Sequence, residues 1–175
     1  THDLGKGTTA AELLQKITSN VGGLTDGAST SDVMGGQRGF NGANLRGLGV
    51  SSTLVLLNGR RLANFASPGD NAGVDLNSIP AGAIQRVEVL KDGASAIYGT
   101  DAVGGVINFI TKRDYQGVDI AIDNTYPSQQ SGQIKRFTFS GGQGSLAKDG
   151  YNLWFSLDNK TQASAKATDR AFGAT

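Results

Sequence analysis

The side chains best suited to holding a small polar ligand gather on one glycine-rich stretch, ahead of a second loop. Arg38, Phe40, Asn41 and Asn44 lie among Gly39 and Gly42, just after Gly35-Gly36. A guanidinium, a ring and two amides offer donors, acceptors and a stacking face on a backbone that glycine leaves free. A second stretch, 63–77, holds Asn64, Phe65, Pro68, Asp70 and Asn71. The same residue types suit a solvated loop whose amides close on nearby backbone. Residue type alone therefore leaves ligand contact and plain loop side by side.

Catalytic chemistry has less to build on. The chain has one histidine, His2, and no cysteine, so neither a histidine-based triad nor a thiolate or multi-histidine metal site can be assembled. No Gly-x-x-x-x-Gly-Lys-Ser/Thr phosphate loop occurs. The glycines at 99, 104 and 105 follow a short helical turn instead of opening a long helix after a strand, which removes a dinucleotide fingerprint. Asp70 and Asp75 have no evident acid/base partner. The expectation is a protein that is not an enzyme and uses no metal or cofactor. A formal charge of +1, from 16 basic and 15 acidic residues, argues against a nucleic-acid partner.

The elements that must position these side chains follow from local pattern. Twenty-six glycines spread through 175 residues predict many tight turns and close backbone approaches. Thr9 and Glu12 have capping-box spacing, and Ala10, Leu13, Leu14 and Ile17 share a face, predicting a helix to about Thr18. Ser31–Gly36 can hold a short strand. Thr53–Leu57 is apolar throughout, the mark of a strand covered on both faces. Asn58-Gly59 then signals a hairpin with Arg60-Arg61-Leu62 as its return. Ser78–Ile84 reads as a helical turn with Pro80 at its first position. Val87 and Val89 alternate with Arg86 and Glu88, as in a half-buried strand. Asp92 is placed to cap a turn from Ala94 to Tyr98, Gly99 to end it left-handed, and β-branched Val103–Thr111 to form the next strand.

Arg86-Val-Glu-Val89, Ile97-Tyr-Gly99, Gly104-Gly-Val-Ile-Asn108 and Thr111-Lys112, in that order and spacing, resemble the end of the plug domain of TonB-dependent outer-membrane receptors. Leu45-Arg-Gly-Leu-Gly49, Leu56-Leu-Asn-Gly-Arg-Arg61, Ile79-Pro80 and Gln85-Arg-Val-Glu88 extend the resemblance, which covers about residues 9 to 113. It implies an α+β plug fold: a small mixed sheet with short helices and long glycine-rich loops. It also implies that the plug fills the lumen of a barrel in the outer membrane of a Gram-negative bacterium, facing the periplasm. There it would gate the import of a ferric siderophore, cobalamin or oligosaccharide, driven by TonB. No TonB box is recognised in this chain. By the same resemblance the ligand would meet Arg38, Phe40, Asn41, Asn64 and Phe65, and Arg46, with Arg86 and Lys91, would form an ion lock with the barrel. The family's second lock arginine is replaced here by Lys91, which keeps the charge and loses the bidentate fork.

Past Arg113 the texture changes. Val118, Ile120 and Ile122, then Phe137 and Phe139, then Tyr151, Leu153, Phe155 and Leu157 each alternate with residues that, Trp154 apart, are polar or small. These are amphipathic antiparallel strands of the kind that begin a transmembrane barrel. The expected division is thus 1–113 as plug and 114–175 as the first wall strands. A plugged transporter has about 22 strands, so the chain is expected to be a piece of a longer receptor. Its exposed strands would tend to self-associate. The competing expectation is a soluble plug-like binding or structural module without transport.

Overall fold

Two local signals, the Asn-Gly turn and the alternating strand after Pro80, become the frame of the first unit. The computed structural model describes residues 10–15, 40–65, 73–126 and 133–163. The chain divides into two compact units, Thr1–Lys112 and Arg113–Thr175.

The first unit is built on β1 (Thr53–Leu57), β2 (Arg60–Arg61), β3 (Ile84–Leu90) and β4 (Gly105–Thr111), ordered β2-β1-β4-β3. Asn58 and Gly59 have φ of 51° and 78°, as a type I′ turn requires, and they pair Leu57 with Arg60. β1 and β4 run parallel, with Val55 opposite Ile107 and Leu57 opposite Phe109. β3 joins β4 antiparallel, placing Val87 beside Phe109 and Val89 beside Ile107. The central strands β1 and β4 therefore bury both faces, as their apolar character requires.

Alternation sends those faces to separate cores. Val55, Ile107 and Phe109 meet Ala10, Leu13 and Leu14 of α1 (Ala10–Gln15), together with Leu45, Leu76, Ile79 and Ile84. Leu54, Leu56 and Val106 point the other way. They are covered by Ala94 and Ala102, with Tyr98 of α2 (Ala94–Tyr98) packed against them. The first core is wide; the second rests on small side chains.

Several local expectations are corrected. Asp92 does not cap α2: the position before the helix is Gly93 at φ 70°, with no side-chain cap, and Asp92 instead pairs with Arg46. The left-handed turn at Gly93 leaves the preceding carboxylate no route to the helix amides. Gly99 has the expected positive φ, 85°, but its ψ of −164° is extended rather than helical. Pro80 does not open a longer helical turn. It stands between two 3₁₀ turns, Leu76–Ser78 and Ala81–Ala83. Thr9, residues 16–18 of the expected first helix and the 31–36 strand lie outside the described residues.

The second unit is a separate antiparallel sheet of β5 (Gly117–Thr125), β6 (Ile134–Gln143) and β7 (Leu153–Gln162). Its register puts Ile120 opposite Phe139, and Phe139 opposite Leu157. The rings of Phe139 and Phe155 stand 5.4 Å apart. On the other face Arg136 Nε donates to both oxygens of Asp158 at 2.9 and 3.1 Å, and the Ser140 and Ser156 hydroxyls meet at 2.9 Å. The β6–β7 connection is tied down by Asn152, whose Nδ2 donates to the Tyr115, Gln143 and Gly144 carbonyls. Tyr115 donates its hydroxyl to Asp119 at 2.6 Å, and that hydrogen bond, with minor burial and the nearby charge, holds the phenol above its usual pKa.

Candidate functional site

The segment from Phe40 to Asn44 runs beside Gly73–Asn77, and the two are stitched together by polar groups. The Asn41 N–H donates to Asp75 Oδ1 at 3.1 Å, its side-chain amide donates to Asn77 Oδ1 at 2.9 Å, and its carbonyl accepts from the Leu76 N–H at 2.8 Å. Asp75 Oδ1 also accepts the Asn77 N–H, capping the 3₁₀ turn. A carboxylate without an evident partner in the sequence is thus a bracket for two backbone amides. Gly42 and Gly73 make the bracket possible. A Cβ on Gly42 would lie 2.7 Å from Val50 and 2.8 Å from Phe40, and one on Gly73 would lie 3.2 Å from Val50.

This geometry shows how the residues expected at the ligand are placed. Phe40 is 1% exposed and Asn41 6%. Phe40 offers no outward stacking face; its ring packs on Phe65 with centroids 5.4 Å apart. Asn41 spends its amide on the bracket. Continuous burial from Phe40 to Ala43 decides this, and glycine-rich composition gives no hint of it. Phe65 is half-buried and is held by its N–H donating to the Gly73 carbonyl at 2.7 Å, while Asn64 is exposed. Arg38 lies outside the described residues. Among the four of these residues that are described, Asn64 is exposed, Phe65 half-buried, and Phe40 and Asn41 buried.

The second cluster surrounds Arg46. The Leu45–Gly49 turn places Arg46, Gly47 and Gly49 at positive φ (60°, 72° and 96°). It is fixed by the Leu45 N–H donating to Thr53 Oγ1 at 3.0 Å and the Gly49 N–H donating to Asn44 Oδ1 at 2.9 Å. From this turn Arg46 donates to the Gly104 carbonyl at 3.3 Å and to the Lys91 carbonyl, and it lies 3.4 Å from Asp92. Arg46 and Lys91 are therefore brought together, but through the Lys91 backbone. Arg86 is not part of that cluster and pairs with Glu88 at 2.8 Å on the exposed face of β3.

Sequence reasoning passed over Arg61 and Asp101. Arg61 on β2 donates to Asp101 at 2.6 Å and to the Tyr98 carbonyl at the end of α2 at 2.5 Å. Two charges 40 residues apart carry no local signal that they meet.

A family model described as the TonB-dependent receptor plug domain matches residues 3–106, a span that contains both clusters. Among solved structures, the chain is similar to the ferric citrate transporter FecA in its unliganded form, with 21% identity and a TM-score of 0.66 over 90% of this chain and 23% of that one. It is also similar to the siderophore receptor PiuA from Acinetobacter baumannii, with 24% identity and a TM-score of 0.52 over 89% of this chain and 18% of that one. The chain thus spans about a fifth of the length of each, and the likeness is one of fold.

Proposed function

The chain belongs to the TonB-dependent receptor plug family, and from that premise we propose that residues 1–113 are the gate and ligand floor of an outer-membrane importer whose wall begins at residues 114–175. The observation that carries this reading is the inverted exposure of the second unit. Val118, Ile120, Ile122, Leu153, Phe155 and Leu157 are each more than half exposed, whereas Arg136 and Ser140 on the opposite face are 8% and 3% exposed. A water-soluble sheet hides its apolar face; a barrel wall turns it to lipid. Strands of 9, 10 and 10 residues also have the length needed to cross a bilayer, about 9–11 residues.

The plug role explains the rest of the site. A barrel wide enough for a chelated metal would leak unless its lumen were filled. Phe40 and Asn41 hold the loop framework, and Arg38, Asn64 and Phe65 are the proposed ligand contacts. Arg46, with Arg86 and Lys91, is the proposed lock to barrel carboxylates, and TonB is the proposed energy-coupling partner. The named ligands of the similar structures favour a ferric siderophore over cobalamin or an oligosaccharide. Without the remaining wall the exposed strands are expected to pair between copies, so the chain alone calls for detergent.

The test is uptake by cells producing the receptor that contains this chain, with and without TonB, using ferric siderophores, cobalamin and oligosaccharides as cargo. TonB-dependent accumulation of a ferric siderophore is the expected result. Uptake of cobalamin or a saccharide alone would overturn the iron reading. No TonB-dependent uptake, with the protein in the soluble fraction, would establish the soluble module instead.

A further inference from the structure

The connection from β3 to β4 is held from both sides by two arginines that belong to other parts of the chain. Arg46 bridges its two ends, donating to the carbonyls of Lys91 and Gly104. Arg61, on the far edge of the sheet, grips its middle at the Tyr98 carbonyl and Asp101. Between these points the connection lies over Leu54, Leu56 and Val106, yet it buries only Ala94 and Ala102 fully, with Tyr98 packed at the margin. Its larger apolar side chains face out: Ile97 is 74% exposed and Val103 53%. Glycines with positive φ stand at its bends, Gly93 at 70° and Gly99 at 85°, and Gly105 at 129° follows its exit.

We propose that Lys91–Gly104 is a hinged strap, its base pinned by Arg46 and its free side closed by an Arg61 clasp, and that it opens as a unit while the sheet beneath stays paired. Two buried alanines give little apolar area to hold it down. The clasp therefore decides how often it lifts. Lifting bares Leu54, Leu56 and Val106 on one face of β1 and β4 and leaves the wider core around Phe109 untouched. Segments with few buried apolar contacts and exposed polar ties are those that open below the global unfolding threshold. The Arg61 and Asp101 side chains are 50% and 58% exposed, so salt screens the clasp and shifts the strap toward open. The inference concerns the first unit by itself and stands whether or not the receptor imports iron.

Hydrogen exchange on the whole chain in detergent tests it, because the reporting amides are bonded within or at the end of the strap: Ala96 to Gly93, Gly99 to Ser95, Ala102 to Gly99, Val103 to Thr100 and Gly104 to Ser52. Arg61→Ala is expected to speed the Ala96–Val103 amides about 5-fold, the effect of losing one exposed pair of about 1 kcal/mol. The amides of Leu54–Leu57 and Val106–Phe109 should keep their rates. Asp101→Asn should act in the same direction, and Arg61→Lys should fall between, keeping the charge but losing the second donor to Tyr98. Raising salt from about 0.05 to about 0.5 M should speed the strap in the parent chain and not in Arg61→Ala. Unchanged strap exchange in both Arg61→Ala and Asp101→Asn would overturn the proposal. So would strap and sheet amides accelerating together in Asp101→Asn, since that means the strap does not open apart from the sheet.

Discussion

Phe109→Ala is expected to lower the stability of the first unit by about 3–5 kcal/mol, the usual cost of removing a fully buried aromatic ring. Phe109 is 0% exposed and sits on β4, one of the two central strands, opposite Leu57 and Val87. Its ring is where α1, the two central strands and the 76–84 segment converge. No single neighbour can move to fill the space without loosening another, so collapse recovers little. A domain of this size has a total stability of about 5–15 kcal/mol, and the variant should melt well below the parent. The chain's single tryptophan, Trp154, lies on β7 in the second unit. Its fluorescence therefore reports that unit, while exchange of the β1 and β4 amides reports the first. A loss of protection in β1 and β4 with an unchanged Trp154 signal is the expected pattern. Phe109→Leu, which keeps most of the volume, should cost roughly 1 kcal/mol. An unchanged denaturation midpoint for the alanine variant would mean that this core does not hold the unit together.

Gly105→Ala is the second large effect, and it works through space as well as backbone angle. Gly105 has φ of 129°, and a Cβ there would lie 2.8 Å from the Leu90 carbonyl oxygen and 2.8 Å from Leu45 Cδ1. The leucine can shift; the carbonyl belongs to the end of β3 and cannot move without disturbing its pairing with β4. Positive-φ strain of about 1–2 kcal/mol and overpacking of about 1–3 kcal/mol sum to about 2–5 kcal/mol. Gly47→Ala separates the two causes. Its φ is 72°, but nothing lies within 4 Å of the added Cβ, so it should show the angular cost alone. If the two variants have equal thermal shifts, the close approach at Gly105 contributes nothing. Neighbouring Gly104 is under the same constraint, a Cβ meeting the Ser52 carbonyl oxygen at 2.9 Å. The glycine pair is a packing device, which is the role its position after a short helical turn suggests.

Parts of this were readable directly from residue order. Period-2 alternation placed Val87 and Val89 inward and Arg86 and Glu88 outward, and it found one apolar face on β5 through β7. Asn58-Gly59 announced its hairpin because only a few residue types accept two consecutive positive-φ positions. The ordered motif from Arg86 to Lys112 pointed to the plug family, and the family model over residues 3–106 agrees. Each of these signals is local: it depends on one residue and its immediate neighbours in the chain.

Tertiary structure decided what each polar side chain is spent on. Asn41 and Asp75 are 34 residues apart, Arg61 and Asp101 are 40 apart, and Arg46 reaches Gly104 across 58. Whether an arginine on a glycine-rich turn faces outward or clamps two carbonyls depends on where the sheet brings the other carbonyls. Nothing in the residues beside Arg46 carries that information. Phe40 is the same case: its type suits a ligand, but the fold buries it and packs its ring on Phe65. Sequence by itself determined the strands from β1 to β7, the Asn58-Gly59 turn and the family. Chain crossings between distant segments determined which of the suited residues hold the molecule together and which are left exposed.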